Sequence, residues 1–257
     1  MLWERMRSRE VNTARGLAST IRALSVETVV AEYEGQKACA PHRHPVRAYL
    51  QSTHTGRPRS GSVSLRVEEH LMLALYGTGH NLLATPSGRR LYIIDYQVPL
   101  KAKRSDPIGK IDGLGVTDGG SLCLIELKAP RQRGDSPLRA LLECLAYLAV
   151  VEANRAGLDP EVAGVHPGFD PDRRPMALVV GPRAWWSAWE QCPPAGDWRS
   201  ALAGLSAAIA QALEVSIAYG ALDGHEPAHL KLGLNGNAPV LTNWPTLGSV
   251  AGLPEFR

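Results

Sequence analysis

The segment "KIDGLGVTDGGSLCLIELKAP", residues 110–130, constrains the fold of this chain more than any other stretch. Two apolar runs flank Asp118-Gly119-Gly120, which is typical turn chemistry for a β-hairpin. Asp112, Glu126 and Lys128 interrupt these runs. Strand interiors are depleted in Asp, Glu and Lys, and buried charges are costly unless they are paired or bind a metal. The charges therefore indicate either a solvated face or a functional site.

Alternation along the second run separates its side chains into two faces. Glu126 and Lys128 share one face with the two leucines that precede them, whereas the other face is purely apolar and carries Cys123, Ile125 and Leu127. The charges thus cluster at one end of an otherwise apolar strand.

The length of the turn decides whether Asp112 joins this cluster. If the turn has three residues, Thr117 pairs with Ser121 and Asp112 falls opposite Glu126 on the same face. A two-residue turn would put Ile125 opposite Asp112 unless a bulge restored the phase. The carboxylate pair is therefore a prediction about strand register.

Two adjacent carboxylates repel each other and shift each other's pKa, and a divalent cation removes that conflict. Carboxylate oxygens suit Mg²⁺ or Mn²⁺, which keep waters and bind substrate phosphates. A lysine two residues further along the strand can orient the attacking water or help to deprotonate it. This combination predicts metal-assisted hydrolysis of phosphodiester bonds.

The arrangement of Asp112 and the triplet Glu126-Leu127-Lys128 on adjacent strands, with a helix on either side, resembles the PD-(D/E)xK nuclease superfamily. The resemblance spans residues 64–181. It implies a restriction-endonuclease-like mixed β-sheet flanked by helices, with Asp112 and Glu126 as Mg²⁺ ligands. It further implies the Leu127 carbonyl as an additional ligand and Lys128 as the group that positions the water.

Family members often carry a further glutamate on the helix before the sheet. Glu68 is favoured for this role, since helical spacing aligns it with Leu71, Met72 and Leu75, and Glu69 is the alternative. On the helix after the sheet, Glu143 and Tyr147 are one turn apart. They resemble the Gln-xxx-Tyr of RecB-like members, with Glu replacing Gln. For Tyr147, core packing is favoured over a role in the site, and Asp106 is a weaker candidate for the first carboxylate.

Basic residues flank the opening segment on both sides, and local positive charge favours a phosphate-bearing partner. The residues expected to contact nucleic acid are Lys101, Lys103, Arg104, Lys110, Arg131 and Arg133. With the resemblance, they predict a metal-dependent deoxyribonuclease that works in bacterial defence, restriction or repair. The alternative is a catalytically degenerate nuclease-fold module that binds nucleic acid or a protein.

Trp185, Trp186 and Trp189 recur at helical spacing. Such a cluster indicates core packing or a partner interface, including an interface with a second copy of the chain.

Hydrophobic periodicity predicts the remaining elements as helix, three strands, helix, strand and helix, which gives an α/β architecture. Helices are expected over 10–33, 64–79, 136–157 and 197–220, strands over 90–100 and 175–182, and a hairpin within 229–244. Ser136 and Pro137 are expected to begin the third helix. Residues 1–62 are expected to form a helical and loop-rich appendage, and residues 63–257 the nuclease domain.

The net charge of +3 is too small to indicate a partner by itself. The four cysteines form no CxxC pair, and Cys123 and Cys144 lie in apolar runs, which favours a cytoplasmic protein with reduced thiols. No signal peptide or membrane span is expected, since the longest apolar run contains Glu143 and is short.

Overall fold

A computed structural model describes the chain over residues 1–8, 11, 16–43, 47–50, 67–77, 81–103, 105–129, 135–190, 197–224, 232–235, 238–241 and 243–256. Its helices are α1 (Leu2–Arg5), α2 (Leu17–Ala23), α3 (Val26–Ala38), α4 (Val67–Gly77), α5 (Pro137–Ala153), α6 (Arg155–Val165), α7 (Arg183–Glu190) and α8 (Trp198–Leu213). Within these ranges no helix is long and apolar enough to cross a membrane.

A mixed sheet of seven strands forms the centre of the fold. The strands are β1 (Leu82–Ala84), β2 (Arg90–Pro99), β3 (Lys110–Thr117), β4 (Leu122–Leu127), β5 (Met176–Pro182), β6 (Ser216–Asp223) and β9 (Thr246–Gly248), in the order β1-β2-β3-β4-β5-β6-β9. Strands β1 to β4 are antiparallel, β4, β5 and β6 are parallel, and β9 is antiparallel to β6. The parallel pairs are joined through helices, as parallel connections require. This confirms the expected α/β class with a mixed sheet flanked by helices.

Two hydrophobic cores cover the two faces of the sheet. The larger core packs the sheet against α1, α2, α3, α5 and α8, and the smaller one packs it against α4. Alternation in β4 follows the expectation, because Leu122 and Leu124 enter the larger core while Cys123, Ile125 and Leu127 enter the smaller one. A separate hairpin of β7 (Leu232–Asn235) and β8 (Ala238–Leu241) confirms the predicted C-terminal hairpin and contacts α4.

The β3–β4 hairpin has the register that a three-residue turn predicts. The Thr117 N–H donates to the Ser121 carbonyl at 2.9 Å, and Gly113 pairs with Ile125. The next pair along this register is Asp112 with Glu126. Gly120 closes the turn with φ of 85°, the left-handed conformation that glycine tolerates best. The register prediction is therefore confirmed.

The predicted helix over 197–220 is wrong in its last third. Helix α8 ends at Leu213, Glu214 takes φ of 55°, and the chain continues as β6 in the middle of the sheet. No glycine or proline lies between Gly204 and Gly220 to signal this end, so the apolar helix runs into the apolar strand without a visible boundary. The edge strands β1 and β9 also escaped prediction, since each has only three residues.

Other helix boundaries follow local capping chemistry. The Ser136 hydroxyl accepts the Arg139 N–H at 3.0 Å and Pro137 follows it, which confirms the predicted start of α5. The expected helix over 10–33 is instead divided, because Ser25 caps a new helix by accepting the Thr28 N–H at 3.1 Å.

The described N-terminal helices contribute to the larger core. Leu2 and Leu17 are fully buried in it, and α1 and α3 contact α5 while α2 contacts α8. The segment is helical as expected, and it packs on the helices that cover the sheet. The expected boundary at residue 62 lies outside the described residues, so the division into two domains stays a prediction.

The three tryptophans of α7 lie inside the protein. Trp185 and Trp186 have at most 1% of their surface exposed and Trp189 has 4%. The Trp186 indole N–H donates to the Gly220 carbonyl at 3.0 Å. Core packing of the three rings is therefore confirmed, and a partner interface through this region stays a prediction.

Candidate functional site

The Lys128 ammonium group is the centre of a buried cluster of acidic side chains. Its Nζ lies 2.5 Å from Glu126 Oε1, 3.1 Å from Glu143 Oε2 and 3.4 Å from Asp135 Oδ2. The side chains of Lys128 and Glu126 are each only 3% exposed. Strand β4 supplies Glu126 and leads into Lys128, and α5 supplies Glu143. The structure thus brings together three residues that the sequence placed in one site.

Asp112 joins the same cluster from the neighbouring strand. Its Oδ2 accepts the backbone N–H of Leu127 at 3.0 Å, and its Oδ1 accepts the Gln97 amide at 3.1 Å. Both oxygens are therefore oriented by donors, one on β4 and one on β2. Asp112 lies across the hairpin from Glu126, as the register requires.

Glu68 reaches the site from the opposite face of the sheet. Its Oε1 accepts the Ala129 N–H at 3.1 Å, one residue beyond Lys128. Glu69 instead lies close enough to Tyr96 to affect its pKa. Burial is the largest cause that raises the pKa of Tyr96 to about 12, followed by the charges of Asp95, Tyr76 and Glu69. The geometry therefore favours Glu68 over Glu69 as the member of the site.

Tyr147 lies one helical turn from Glu143 and donates its hydroxyl to Glu143 Oε1 at 3.3 Å. It is 5% exposed and belongs to the larger core, so it packs and also contacts the cluster. A Cβ atom on Gly109 would lie 2.6 Å from the Tyr147 hydroxyl, so glycine at this position makes room for the tyrosine.

The cluster holds more acidic than basic groups. Five carboxyl groups, those of Glu68, Asp112, Glu126, Asp135 and Glu143, face the Lys128 ammonium and the Arg139 guanidinium, which pairs with Asp135 at 2.7 Å. A buried excess of negative charge is unstable unless protons or a cation neutralise it.

The pKa shifts reflect this excess. Burial raises the pKa of Asp112 to about 7, against the opposing effect of Lys128, and burial also raises the pKa of Glu68. Burial disfavours the charged form of Lys128, but Glu126, Glu143 and the other carboxylates raise its pKa well above the ordinary value. The ammonium therefore stays charged while part of the acidic set takes up protons.

Glu126 and Glu143 affect each other's pKa. Burial and the neighbouring Glu143 raise the pKa of Glu126 well above its ordinary value. Burial alone would raise the pKa of Glu143, but Lys128 and hydrogen bonds from Lys128 and Glu126 hold it below its ordinary value. In its ionised form, Glu126 Oε2 is buried with no hydrogen-bond donor among the described residues.

The donor chemistry of the cluster fits a hard divalent cation. All of the acidic groups offer oxygen ligands, and the unpartnered Glu126 Oε2 lies across the hairpin from Asp112. In the part of the chain that the structure describes, however, no three His, Cys, Asp or Glu side chains converge as a metal site. The Lys128 ammonium lies among Glu126, Asp135 and Glu143 instead.

Basic residues predicted to contact nucleic acid fall into two groups. Lys101, Lys103 and Lys110 are exposed near the cluster-bearing strands. The others, Arg104, Arg131 and Arg133, lie outside the described residues. Asp106 is excluded as the first carboxylate of the cluster, because its Oδ2 accepts the backbone N–H groups of Ala102 and Lys103, each at 2.9 Å.

Sequence reasoning missed Asp135 and Gln97. Asp135 immediately precedes the Ser136-Pro137 helix start, and an acidic residue next to that start was an available signal. Gln97 carried no such signal. A bulge at Ile94 shifts the β2–β3 register, and Gln97 itself takes φ of 50°, so simple alternation could not place its amide beside Asp112.

Comparisons of the chain with protein-family models, with curated proteins and with solved structures find no match. The arguments about function therefore depend on the residues of the cluster and their geometry.

Proposed function

We propose that this protein is a metal-dependent nuclease of the PD-(D/E)xK type that hydrolyses phosphodiester bonds, with DNA as the expected substrate. The observation that supports this most is the pairing of Asp112 with Glu126 across the hairpin, beside the buried Lys128. A structural ion pair needs one carboxylate for one ammonium, whereas this cluster gathers several. The restriction-endonuclease-like fold and a setting in bacterial defence, restriction or repair belong to the same proposal.

In this proposal Asp112, Glu126 and the Leu127 carbonyl would hold Mg²⁺ or Mn²⁺. The cation, when bound, supplies electrophilic stabilisation of the phosphate oxygens and lowers the pKa of water. Gln97 and the Leu127 N–H orient the Asp112 carboxylate, which fixes one ligand before binding. Glu68 anchors the backbone just after Lys128 through the Ala129 N–H.

Lys128 acts on the attacking water in this mechanism. Its Nζ is held by Glu126, Glu143 and Asp135, so the ammonium has a defined position and three acceptors for its protons. Binding of a cation by Glu126 would weaken one of these contacts and free one N–H to orient water. Glu143 and Asp135 would keep the charge of Lys128 in place.

The test is cleavage of plasmid, linear duplex and single-stranded DNA, and of RNA, with Mg²⁺ or Mn²⁺. We expect Asp112→Ala and Lys128→Ala each to lower the cleavage rate by roughly 100-fold or more, since each removes a group that acts in the transition state. Asp172→Ala, at an exposed aspartate away from the cluster, is the matched control and should retain wild-type activity. Unchanged cleavage by both cluster variants would contradict the proposal.

The second candidate is a catalytically degenerate module that binds nucleic acid or a protein. The observation in its favour is that Lys128 itself neutralises Glu126 and Glu143, which a module without a cation would require. It predicts binding of nucleic acid with the same affinity in the presence of chelator or Mg²⁺, and no cleavage of any substrate above.

A further inference from the structure

A cavity of ≈ 380 Å³ lies next to the acidic cluster, between α1, the end of α3 and the loop that joins β2 to β3. This volume lies within the range of about 300–1,000 Å³ that is usual for small-ligand sites. Trp3, Gln36, Lys103, Asp106 and Ile108 contribute to its wall. Its lining includes neither Lys128 nor the carboxyl groups around that lysine, so the cavity is a separate feature.

Tyr147 lies near the cavity wall and also contacts the acidic cluster. The Trp3 and Tyr147 ring centroids are 6.1 Å apart, and the Tyr147 hydroxyl donates to Glu143. On the other side, Ile108 in the cavity wall precedes Gly109, which abuts the same hydroxyl. Tyr147 therefore connects the wall of the cavity to the acidic cluster.

The cavity wall contains a buried donor and a buried acceptor that lack partners. Trp3 Nε1 and Gln36 Oε1 make no hydrogen bond within the described residues, and their side chains are 9% and 6% exposed. Leaving a buried polar atom unpaired is costly, so such a pair favours a ligand that both accepts and donates hydrogen bonds. The Arg7 guanidinium lies over the Trp3 ring, 4.9 Å from its centroid.

The loop beside the cavity carries a basic side chain, Lys103. Asp106 holds it by accepting two backbone N–H groups, so this carboxylate is occupied within its own loop. Lys103 is exposed and makes no ion pair among the described residues. An exposed cation and a buried donor–acceptor pair, all on residues of the cavity wall, match a nucleotide whose phosphate lies near Lys103 and whose base is buried.

We infer that this cavity receives the base adjacent to the scissile phosphodiester and binds its edge through Trp3 Nε1–H and Gln36 Oε1. The inference rests on the proposed nuclease function and adds a site for substrate recognition to it. The ligand is a nucleobase within a DNA or RNA strand, and the experiment includes both.

Equilibrium binding of short fluorescein-labelled oligonucleotides in chelator tests the inference without turnover. The oligonucleotides are single-stranded DNA and RNA of mixed sequence, and the same DNA with one abasic position moved stepwise along it. We expect Trp3→Phe and Gln36→Leu each to weaken binding of the intact strand roughly tenfold, the usual effect of losing one buried hydrogen bond. Gln211→Leu, at an exposed glutamine on α8, is the matched control and should bind as the wild type does.

At one location of the abasic position, the oligonucleotide should bind more weakly to the wild type. The two variants should bind that oligonucleotide with the same affinity as the wild type does. Equal affinities of the wild type and the two variants for all intact strands would overturn the inference. So would variants whose loss of affinity adds to the loss caused by the abasic position, wherever that position lies in the oligonucleotide. If the wild type cleaves nucleic acid while the variants bind normally, only the base cavity is rejected. If the wild type neither binds nor cleaves any strand, both proposals are rejected. Unfolding curves for each variant separate loss of binding from loss of fold.

Discussion

At the scale of the residue, Gln97 links backbone conformation to the proposed chemistry. Its φ of 50° is uncommon for a residue with a side chain, and it occurs inside β2 where the amide donates to Asp112 Oδ1. Strained backbone of this kind concentrates at functional sites, where the surrounding structure holds it in place. The position of Gln97 opposite Asp112 gives a physical reason for the strain.

Two substitutions at Gln97 separate the strain from the contact. Gln97→Ala and Gln97→Gly both remove the amide, but only glycine adopts the left-handed conformation without a steric cost. We expect the glycine variant to have the larger free energy of unfolding, by about 1 kcal/mol. Both variants should lose nuclease activity to the same extent, since both leave Asp112 Oδ1 without its donor. Chemical denaturation and cleavage assays measure the two effects, and equal stability of the two variants would contradict the role given to φ.

At the scale of the element, the turn of the β3–β4 hairpin decides whether the site forms. The Gly120 N–H donates to the Thr117 carbonyl at 2.9 Å, and the Gly120 carbonyl accepts the Asp170 N–H at 3.0 Å. The turn is therefore fixed both within the hairpin and against the loop before β5. A shift of one residue here would turn Glu126 away from Asp112, because side chains alternate along β4.

Glycine substitutions in this turn should have unequal effects. A Cβ on Gly120 would lie 2.9 Å from the Gly168 carbonyl oxygen, at φ of 85°, so we expect Gly120→Ala to lower the free energy of unfolding by about 1–3 kcal/mol. The matched control is Gly119→Ala, whose Cβ would find its nearest neighbour at 3.6 Å and should change stability by less than about 0.5 kcal/mol. Chemical denaturation of both variants measures the difference. Equal losses of stability in Gly120→Ala and Gly119→Ala would contradict the role given to the left-handed conformation of Gly120.

At the scale of the whole molecule, the acidic cluster couples folding to pH and to cations. A carboxyl group whose pKa is raised on folding contributes stability below its unfolded pKa and loses that contribution as pH rises through its folded pKa. For Asp112 the folded pKa is about 7, and the pKa values of Glu68 and Glu126 shift in the same direction. The ionised cluster therefore opposes folding at alkaline pH.

We expect stability without divalent cations to fall as the pH rises from about 4 to about 7 and to level off above that, because Asp112 ionises near its ordinary pKa when unfolded and near pH 7 when folded. Asp112→Asn should flatten this decrease, because Asn cannot ionise and Gln97 can rotate its amide to face it. Mg²⁺ or Mn²⁺ added at about pH 8 should raise the wild-type unfolding temperature but not that of Asp112→Asn. Calorimetric melting curves measure both effects, and an identical pH dependence in wild type and variant would refute the assignment to Asp112.

The sequence by itself determined the β3–β4 hairpin, the face shared by Glu126 and Lys128, and the start of α5. Each depends on interactions between near neighbours: a three-residue turn, the two-residue period of a strand, and a serine cap followed by proline. Glu68 could be favoured over Glu69 by the same kind of argument, from helical spacing.

Only the tertiary structure decided the rest. It turned the apolar segment after Glu214 into a central strand, because strand pairing with β5 outweighed the local helical pattern. It buried the three tryptophans of α7, and it brought Gln97 and Asp135 to the cluster through a bulge and a helix start that lie far from Glu126 in sequence. The position of Lys128 among the carboxylates was decided in the same way, since a sequence shows which charges share a face but only packing determines which of them meet.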